Sequence, residues 1–394
     1  MIENNAQPVL RGRQFLHTPG PTIIPDRILR AMDRPALDHR GPEFLAIARH
    51  CFAGLKRIFR TEHPVTMFPA AGHGAWEAAL ANVLSPGDRM VIAETGAFST
   101  WWKDMAEALG IEVDSIAGDW RHGADIAAIE AHLAEDRTRA IKAVAVVHNE
   151  TSTGILSDAA GVRAAIDRVG HPALYLVDTI SSLASMDFRM DEWSVDVAIG
   201  GSQKGLMLPP GMSFTAIGPK ALAASKTSRM PRNYFDWAAV LPDGKTPTLP
   251  WTPPEPLIFG LVEALAMLEE EGLDACFRRH ARLAEATRRA VGGWGFALNA
   301  LEVSQASNSV TAIRMPDGHD AEAFRAACLA RYNLVLAGGI AKLQGTIFRI
   351  GHLGDLNEAM ILGTLATIET ALAATGVPHQ SGGINAAIAY LAED

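Results

Sequence analysis

The chain has 394 residues, 48% of them hydrophobic and 20% charged, and this composition excludes a disordered or low-complexity protein. The formal net charge is −9 and neither sign forms a long run, which indicates no nucleic-acid partner and no anionic membrane surface. Cys51, Cys276 and Cys328 are odd in number and far apart, as is typical of reduced thiols. Apolar runs such as Ala143–Val147 are too short to cross a bilayer, and the N-terminus lacks a signal-peptide core, so we expect a cytoplasmic protein.

After an N-terminal arm, expected over residues 1–25, short apolar runs alternate with helical patterns up to about residue 218. The predicted strands are Val65–Met67, Met90–Ala93, Ala143–Val147, Ala173–Val177, Val195–Ile199 and Ser213–Ile217. The predicted helices are Gly74–Leu84, Thr100–Leu109, Ile126–Ala134 and Ala159–Val169. Because the runs are apolar on both faces, the pattern predicts an α/β fold with a mostly parallel sheet between two helical layers, and ligands at the carboxyl ends of its strands.

Residues 226–256 are rich in Pro, Trp and Asp and predict a long ordered loop. The elements predicted after it are the helices Pro256–Leu268, Leu273–Val291, Ala321–Tyr332 and Asn357–Ala374 and the strands Ser309–Arg314 and Thr346–Ile350. These elements predict a small C-terminal α+β domain. We therefore divide the chain into the arm, a large domain over 26–280 and a small domain over 281–394.

One lysine directly follows a predicted strand. Of eight lysines in the chain, only Lys204 lies between glycines at a strand end, in Gly200-Gly201-Ser202-Gln203-Lys204-Gly205. A lysine partly removed from water has a lowered pKa and can form a Schiff base with an aldehyde. A second predicted strand, Ala173–Val177, is followed by Asp178, and a carboxylate there can pair with the pyridinium nitrogen of pyridoxal phosphate. A surface-turn lysine and a turn-capping aspartate are the alternatives.

A turn of small residues, Pro69-Ala70-Ala71-Gly72-His73-Gly74, leads into a predicted helix, whose free N–H groups would bind a phosphate. The alternative is a dinucleotide fingerprint ending at Glu94, but Glu77 replaces its third glycine. A polar cluster, His148–Gly154, follows the strand Ala143–Val147 and offers donors to a ring or substrate oxygen, or else forms an ordinary turn. Arg349 lies in an otherwise apolar strand, where a substrate carboxylate or a structural salt bridge would satisfy it.

Together these stretches resemble the class V aminotransferases, pyridoxal-phosphate enzymes of fold type I, and especially bacterial serine–glyoxylate enzymes. The resemblance runs from His17 to about Gly354, nearly the whole chain. The segments that carry it are Asp38-His39-Arg40, Val147–Thr151, Gly201–Pro209, Tyr234–Trp237, Arg331–Leu334 and Phe348–His352. The resemblance implies pyridoxal 5′-phosphate as cofactor and no metal.

The resemblance also implies a role for each matching residue. Lys204 would form the Schiff base, Asp178 would pair with the ring nitrogen, and Phe98 would stack on the ring. Thr151 would hydrogen-bond at the ring and substrate end, and Arg349 would bind the substrate α-carboxylate. The phosphate would be held by Gln203, by the backbone of Ala71, Gly72 and His73, and by Thr252 from the second subunit of a dimer.

Three positions depart from the family pattern. Ala71 stands where relatives usually carry a hydroxyl, and His73 matches alanine–glyoxylate enzymes where serine–glyoxylate relatives tend to carry threonine. Leu249 stands where an aromatic residue usually precedes Thr252. These departures bear on cofactor affinity and on the identity of the amino donor.

The implied reaction moves an amino group from a small L-amino acid, with serine favoured, to glyoxylate, giving glycine and hydroxypyruvate. Aspartate–glyoxylate and alanine–glyoxylate transfer are alternatives within the family. A cysteine desulfurase is an alternative from another class, but Cys328 has the apolar helical surroundings of a core residue. We expect a homodimer or a tetramer that binds small amino and 2-oxo acids.

Overall fold

The computed structural model describes residues 11–393, so residues 1–10 of the predicted arm and residue 394 lie outside it. The strands are β1 Phe15–His17, β2 Val65–Phe68, β3 Arg89–Ala93, β4 Glu112–Ile116, β5 Ile141–Val147, β6 Asn149–Glu150, β7 Ile155–Leu156, β8 Leu174–Asp178, β9 Val197–Gly201, β10 Ser213–Ile217, β11 Val310–Arg314, β12 Leu334–Gly338 and β13 Ile347–Gly351. The helices are α1 Asp26–Met32, α2 Pro42–Phe59, α3 Gly72–Val83, α4 Ala97–Ala108, α5 Ile126–Glu135, α6 Ala159–Val169, α7 Pro219–Ser225, α8 Trp237–Val240, α9 Glu255–Glu271, α10 Leu273–Gly293, α11 Ala321–Tyr332, α12 Glu358–Thr375 and α13 Ile384–Leu391. All of the strands and helices predicted from the sequence are present, most of them with ends shifted by one to three residues.

The large sheet has seven strands in the order β2-β10-β9-β8-β5-β3-β4. The pairs from β9 through β8, β5 and β3 to β4 are parallel, whereas β10 is antiparallel to both β9 and β2. The prediction of a mostly parallel sheet is therefore confirmed. Since β10 reverses direction between them, β2 and β9 run the same way, and the helices after β2 and β3 begin at the same sheet edge.

Helices cover both faces of this sheet because its strands alternate apolar side chains between two cores. In β8, Tyr175 and Val177 pack into one core with Phe44 and Phe59 of α2. Leu174 and Leu176 of the same strand point into the other core, with residues of α3, α4 and α7. Residues buried on both faces explain the uniformly apolar sequence of this strand.

The second sheet has four strands in the order β1-β12-β13-β11, and α10 to α13 pack with it in a separate core. Its edge strand β1 comes from the N-terminal arm and pairs parallel with β12. Helix α10 spans residue 280, where the sequence predicted the domain boundary, and that division remains a prediction. Within residues 11–393, no helix is long and apolar enough to cross a membrane.

Candidate active site

A cavity of about 170 Å³ lies at the carboxyl ends of β5 and β8 and beside the turn after β9. Eight of the ten residues predicted for the site line it: Ala71, Gly72, His73, Phe98, Thr151, Asp178, Gln203 and Lys204. It is also lined by Asn149, from the predicted polar cluster His148–Gly154, and by Trp76, Val147, Ile180 and Ser181, which were not predicted as site residues. Arg349 and Thr252 lie outside the lining. Most of the residues predicted for the site therefore lie together around one cavity.

Lys204 lies in the turn after β9 and is only 8% exposed. Its Nζ donates a hydrogen bond of 2.5 Å to the carbonyl oxygen of Pro19. Gly20 packs against the same side chain, since a Cβ at Gly20 would lie 2.5 Å from Lys204 Nζ. The pKa of Lys204 is lowered to about 8, mainly by burial and in part by the nearby charge of Arg349, whereas the charges of Asp178 and Glu150 act in the opposite direction. A surface-turn lysine is therefore the wrong description.

Asp178 ends β8 and is buried at the floor of the cavity. Its Oδ2 accepts a hydrogen bond of 2.9 Å from Trp76 Nε1, and its Oδ1 accepts one of 2.7 Å from the Ile180 N–H. Burial raises the pKa of Asp178 to about 7, although these two hydrogen bonds act in the opposite direction. Trp76 is the contact that sequence reasoning missed, because its partner lies 102 residues further along the chain.

The N-terminus of α3 faces the cavity without a side-chain cap. Ala71 is its N-cap residue, in extended conformation with φ −75° and ψ 174°, and makes no capping hydrogen bond. A Cβ at Gly72 would lie 2.3 Å from Ile180 Cδ1, so glycine permits close backbone packing there. The dinucleotide alternative is not supported. Among the described residues 11–393, β2, which precedes this turn, pairs only with antiparallel β10 and forms no parallel βαβ unit.

Phe98 lies in the first turn of α4, half-buried on the wall of the cavity. Its ring stands edge-on to those of Trp101 and Trp76, with centroids 5.2 and 6.3 Å away. His73 belongs to the same aromatic group, 4.4 Å from the Trp76 ring, and burial lowers its pKa. These contacts leave one face of the cavity aromatic and uncharged.

Thr151, in the turn between β6 and β7, is hydrogen-bonded to Arg349 of β13. The Arg349 Nη1 donates a hydrogen bond of 2.6 Å to the Thr151 carbonyl, and its Nε donates one of 2.8 Å to the Gly338 carbonyl. Arg349 is 5% exposed, and burial lowers its pKa to about 10. Within residues 11–393 it pairs with no carboxylate, so the structural salt bridge considered from the sequence is absent there.

Thr252 occupies an exposed position in the loop between α8 and α9. It does not line the cavity of its own chain, which agrees with the expectation that a second subunit would supply it but does not test that expectation. Most of residues 226–256 form a loop, as predicted, apart from the single turn of α8 and the start of α9.

The cavity fits the pyridoxal phosphate that the sequence led us to expect. An uncapped helix N-terminus at Gly72 suits a phosphate, and a buried carboxylate, Asp178, suits a protonated ring nitrogen. Lys204 offers the amine, and the buried Gln203 Oε1 has no hydrogen-bond partner within the described residues. Each of these groups is a donor, acceptor or charge that the protein alone leaves incompletely paired.

The amino-acid sequence matches the family model described as aminotransferase class-V over residues 15–347. It is 46% identical over 390 residues to the serine–glyoxylate aminotransferase of Methylorubrum extorquens, with 97% of each chain covered. It is 43% identical to the L-aspartate–glyoxylate aminotransferase of Paracoccus denitrificans, with 92% of each covered. The solved pyridoxamine–pyruvate aminotransferase of Mesorhizobium loti has 27% identity and a TM-score of 0.89, with 98% of each chain covered. The similarity therefore extends over whole chains.

Proposed function

Because the chain belongs to the class V aminotransferases, we propose that it transfers the amino group of L-serine to glyoxylate, giving hydroxypyruvate and glycine. The observation that carries this proposal is one cavity in which the buried amine of Lys204 and the buried carboxylate of Asp178 lie together. The preference for serine rests on the 46% identity to a serine–glyoxylate relative.

The predictions of the family, of fold type I and of a pyridoxal 5′-phosphate cofactor are confirmed. When bound, this cofactor supplies an electron sink for the bonding electrons of the donor's α-carbon. In our proposal Lys204 anchors it, Phe98 stacks on its ring, and Thr151 hydrogen-bonds at its ring end. Its phosphate is held by Gln203 and by the backbone of Ala71, Gly72 and His73.

The protein's own acid and base groups are placed for proton transfer. With a pKa of about 8, part of the Lys204 population is an unprotonated amine near neutral pH, and its Nζ can remove the proton from the donor's α-carbon. Asp178 would accept a hydrogen bond from the ring nitrogen and would stabilise its positive charge. Trp76 and Ile180 each bind one oxygen of Asp178, which fixes the orientation of the carboxylate.

Arg349 is the residue that we propose binds the substrate α-carboxylate. Its two hydrogen bonds to carbonyl oxygens use Nε and Nη1, and neither uses Nη2. Glyoxylate offers little beyond one carboxylate, which a guanidinium pairs with strongly. An aspartate donor would bring a second carboxylate, which would need a further cation near the side-chain end of the substrate.

A cysteine desulfurase needs a reactive, accessible thiol. Cys51, Cys276 and Cys328 are all buried, and burial raises the pKa of each to about 12. The chain has three cysteines in total. None of them is therefore suited to attack a cofactor-bound sulfur, and this supports transamination.

We further propose a homodimer, or a tetramer of two such dimers, in which Thr252 reaches the phosphate in the partner's cavity. The exposed position of Thr252 beside the aromatic pair Trp251 and Tyr234, whose ring centroids are 5.8 Å apart, supports this arrangement.

We also propose a cytoplasmic location. The three unpaired cysteines support it, because reduced thiols are typical of that compartment.

The test is a steady-state panel of L-serine, L-aspartate and L-alanine, each with glyoxylate as acceptor. We expect the highest kcat/KM with serine, and no turnover and no bound chromophore in Lys204→Ala, because the amine is then missing. A higher kcat/KM with aspartate or alanine would assign the enzyme to that donor instead. Release of sulfide from L-cysteine at a comparable rate would contradict transamination as the main activity.

A further inference from the structure

Side chains of the segment after β5, Glu150 and Ser152, cap the N-terminus of α4. The Ser99 N–H donates to Glu150 Oε2 at 3.1 Å, and the Phe98 N–H donates to Glu150 Oε1 at 3.4 Å. The Ala97 N–H donates to Ser152 Oγ at 2.9 Å, and this hydroxyl in turn donates to Glu150 Oε1 at 2.5 Å. The first three N–H groups of the helix are thus bound by side chains from a segment more than fifty residues away.

Glu150 is wholly buried in this arrangement. Its side chain packs so closely on the helix start that a Cβ at Gly96 would lie 2.4 Å from Glu150 Cγ. A buried carboxylate is costly unless hydrogen bonds satisfy it, and here Glu150 accepts four, including one from the Ser152 N–H at 3.2 Å. The hydrogen bonds from Phe98 and Ser99 fix the position of the first turn of α4 relative to Glu150.

We propose that Glu150 is a positioning residue for the cofactor, because it fixes the first turn of α4 and so holds Phe98 against the cofactor ring. This inference rests on the stacking role of Phe98 proposed above. The backbone N–H of Phe98 itself donates to Glu150, so one hydrogen bond joins the carboxylate to the backbone that carries the stacking ring. The next residue, Thr151, binds Arg349 through its carbonyl, so the same segment links the ring site to the carboxylate site.

The test measures binding of pyridoxamine 5′-phosphate to the apoprotein by quenching of tryptophan fluorescence, since this form needs no bond to Lys204. Glu150→Ala is expected to weaken binding about threefold to tenfold, the range for a lost aromatic stacking contact. Glu150→Gln, which keeps the shape and one acceptor oxygen, is expected to fall between Glu150→Ala and the unaltered protein.

Asp125→Ala is the matched control. Asp125 caps α5 by accepting from the Ala128 N–H at 2.9 Å, and it does not line the cavity. This control is expected to lower the melting temperature without changing the affinity for pyridoxamine 5′-phosphate. An affinity loss equal to that of Glu150→Ala would show that any uncapped helix has this effect, and would overturn the proposal.

A double-mutant cycle with Phe98→Leu separates positioning from general destabilisation. If Glu150 acts through Phe98, Glu150→Ala has no further effect on affinity once Phe98 is replaced. Fully additive effects would overturn the proposal. Phe98→Leu alone tests the stacking role, so failure of that role is seen separately. If Glu150→Ala does not fold, the same double-mutant cycle is measured with Glu150→Gln and Phe98→Leu.

Discussion

Helices α3 and α4 begin at the same edge of the large sheet, but side chains cap the N-terminus of α4 and none caps that of α3. At α4, Ala97, Phe98 and Ser99 give their N–H groups to Glu150 and Ser152. At α3, the N-cap residue Ala71 has no group that can cap, and the start of the helix opens into the cavity. Both helices are twelve residues long, so their end dipoles are similar.

The difference shows that two helices at one sheet edge can serve different functions, one in ligand binding and one in positioning. An open helix N-terminus keeps its positive end for an anionic ligand, whereas a closed one satisfies that end internally and holds its first turn still. In our proposal α3 therefore binds the cofactor phosphate and α4 presents the stacking ring. Each helix is also paired with a buried carboxylate: Glu150 at the start of α4, and Asp178 bonded to Trp76 of α3.

The largest predicted effect comes from capping the N-terminus of α3 with a carboxylate, as Glu150 caps that of α4. Ala71→Asp places a carboxylate at an exposed N-cap with suitable extended geometry. We expect the affinity of the apoprotein for pyridoxal 5′-phosphate to fall roughly 1000-fold, because like charges about 4 Å apart near a protein surface repel by about 4 kcal/mol. Fluorescence titration of the apoprotein measures the change.

Pyridoxal without its phosphate is the matched ligand for this variant. Its affinity is expected to be the same for Ala71→Asp and the unaltered protein, and a cap at α3 is expected to stabilise the apoprotein by about 1 kcal/mol. Unchanged binding of pyridoxal 5′-phosphate to Ala71→Asp would place the phosphate away from α3.

The second prediction concerns the carboxylate that contacts α3. The pKa of Asp178 is raised to about 7 in the folded protein, so between about pH 4 and 7 the folded state keeps a proton that the unfolded state has lost. The stability that this proton provides is present at acid pH and is lost as the pH rises through 7. Relative to Asp178→Asn, the free energy of unfolding of the apoprotein should fall by roughly 3 kcal/mol across this range.

Urea unfolding of both apoproteins at several pH values between 4 and 8 measures this difference. Loss of one acceptor oxygen for Trp76 or Ile180 in Asp178→Asn adds an offset that does not vary with pH, so only the slope is diagnostic. A difference that stays constant over the range would show that Asp178 ionises normally.

The two charged residues of the cavity could be predicted from the sequence, but two of their contacts could not. Lys204 and Asp178 were found because each follows an apolar strand, and strand ends meet at one edge. The contact of Trp76 with Asp178 was missed because a tryptophan in an apolar helix is usually a core residue. Its indole N–H does not indicate from the sequence which distant residue it binds. Pro19 was missed because its backbone carbonyl carries no residue-specific signal.

The missed strands have equally physical causes. The edge strand β4 has the sequence Glu-Val-Asp-Ser-Ile, and none of its residues is fully buried, so its apolar pattern is weak. The strand β1 has three residues and exists only because β12 offers it a partner 319 residues away. The capping role of Glu150 was likewise invisible, since His148–Gly154 read equally well as an ordinary turn.

The smallest predicted effect comes from adding to α3 a hydroxyl of the kind that α4 has at its N-terminus. Hydroxyls of Ser99 and Ser152 bind N–H groups at the start of α4, whereas Ala71 leaves α3 with no hydroxyl at the corresponding position. Ala71→Ser adds one neutral donor beside the phosphate without adding charge, so we expect binding of pyridoxal 5′-phosphate to tighten about fivefold, or about 1 kcal/mol. Titration with pyridoxal should show no such gain, and an equal gain for both ligands would mean that the new hydroxyl acts by stabilising the helix and not by contacting the phosphate.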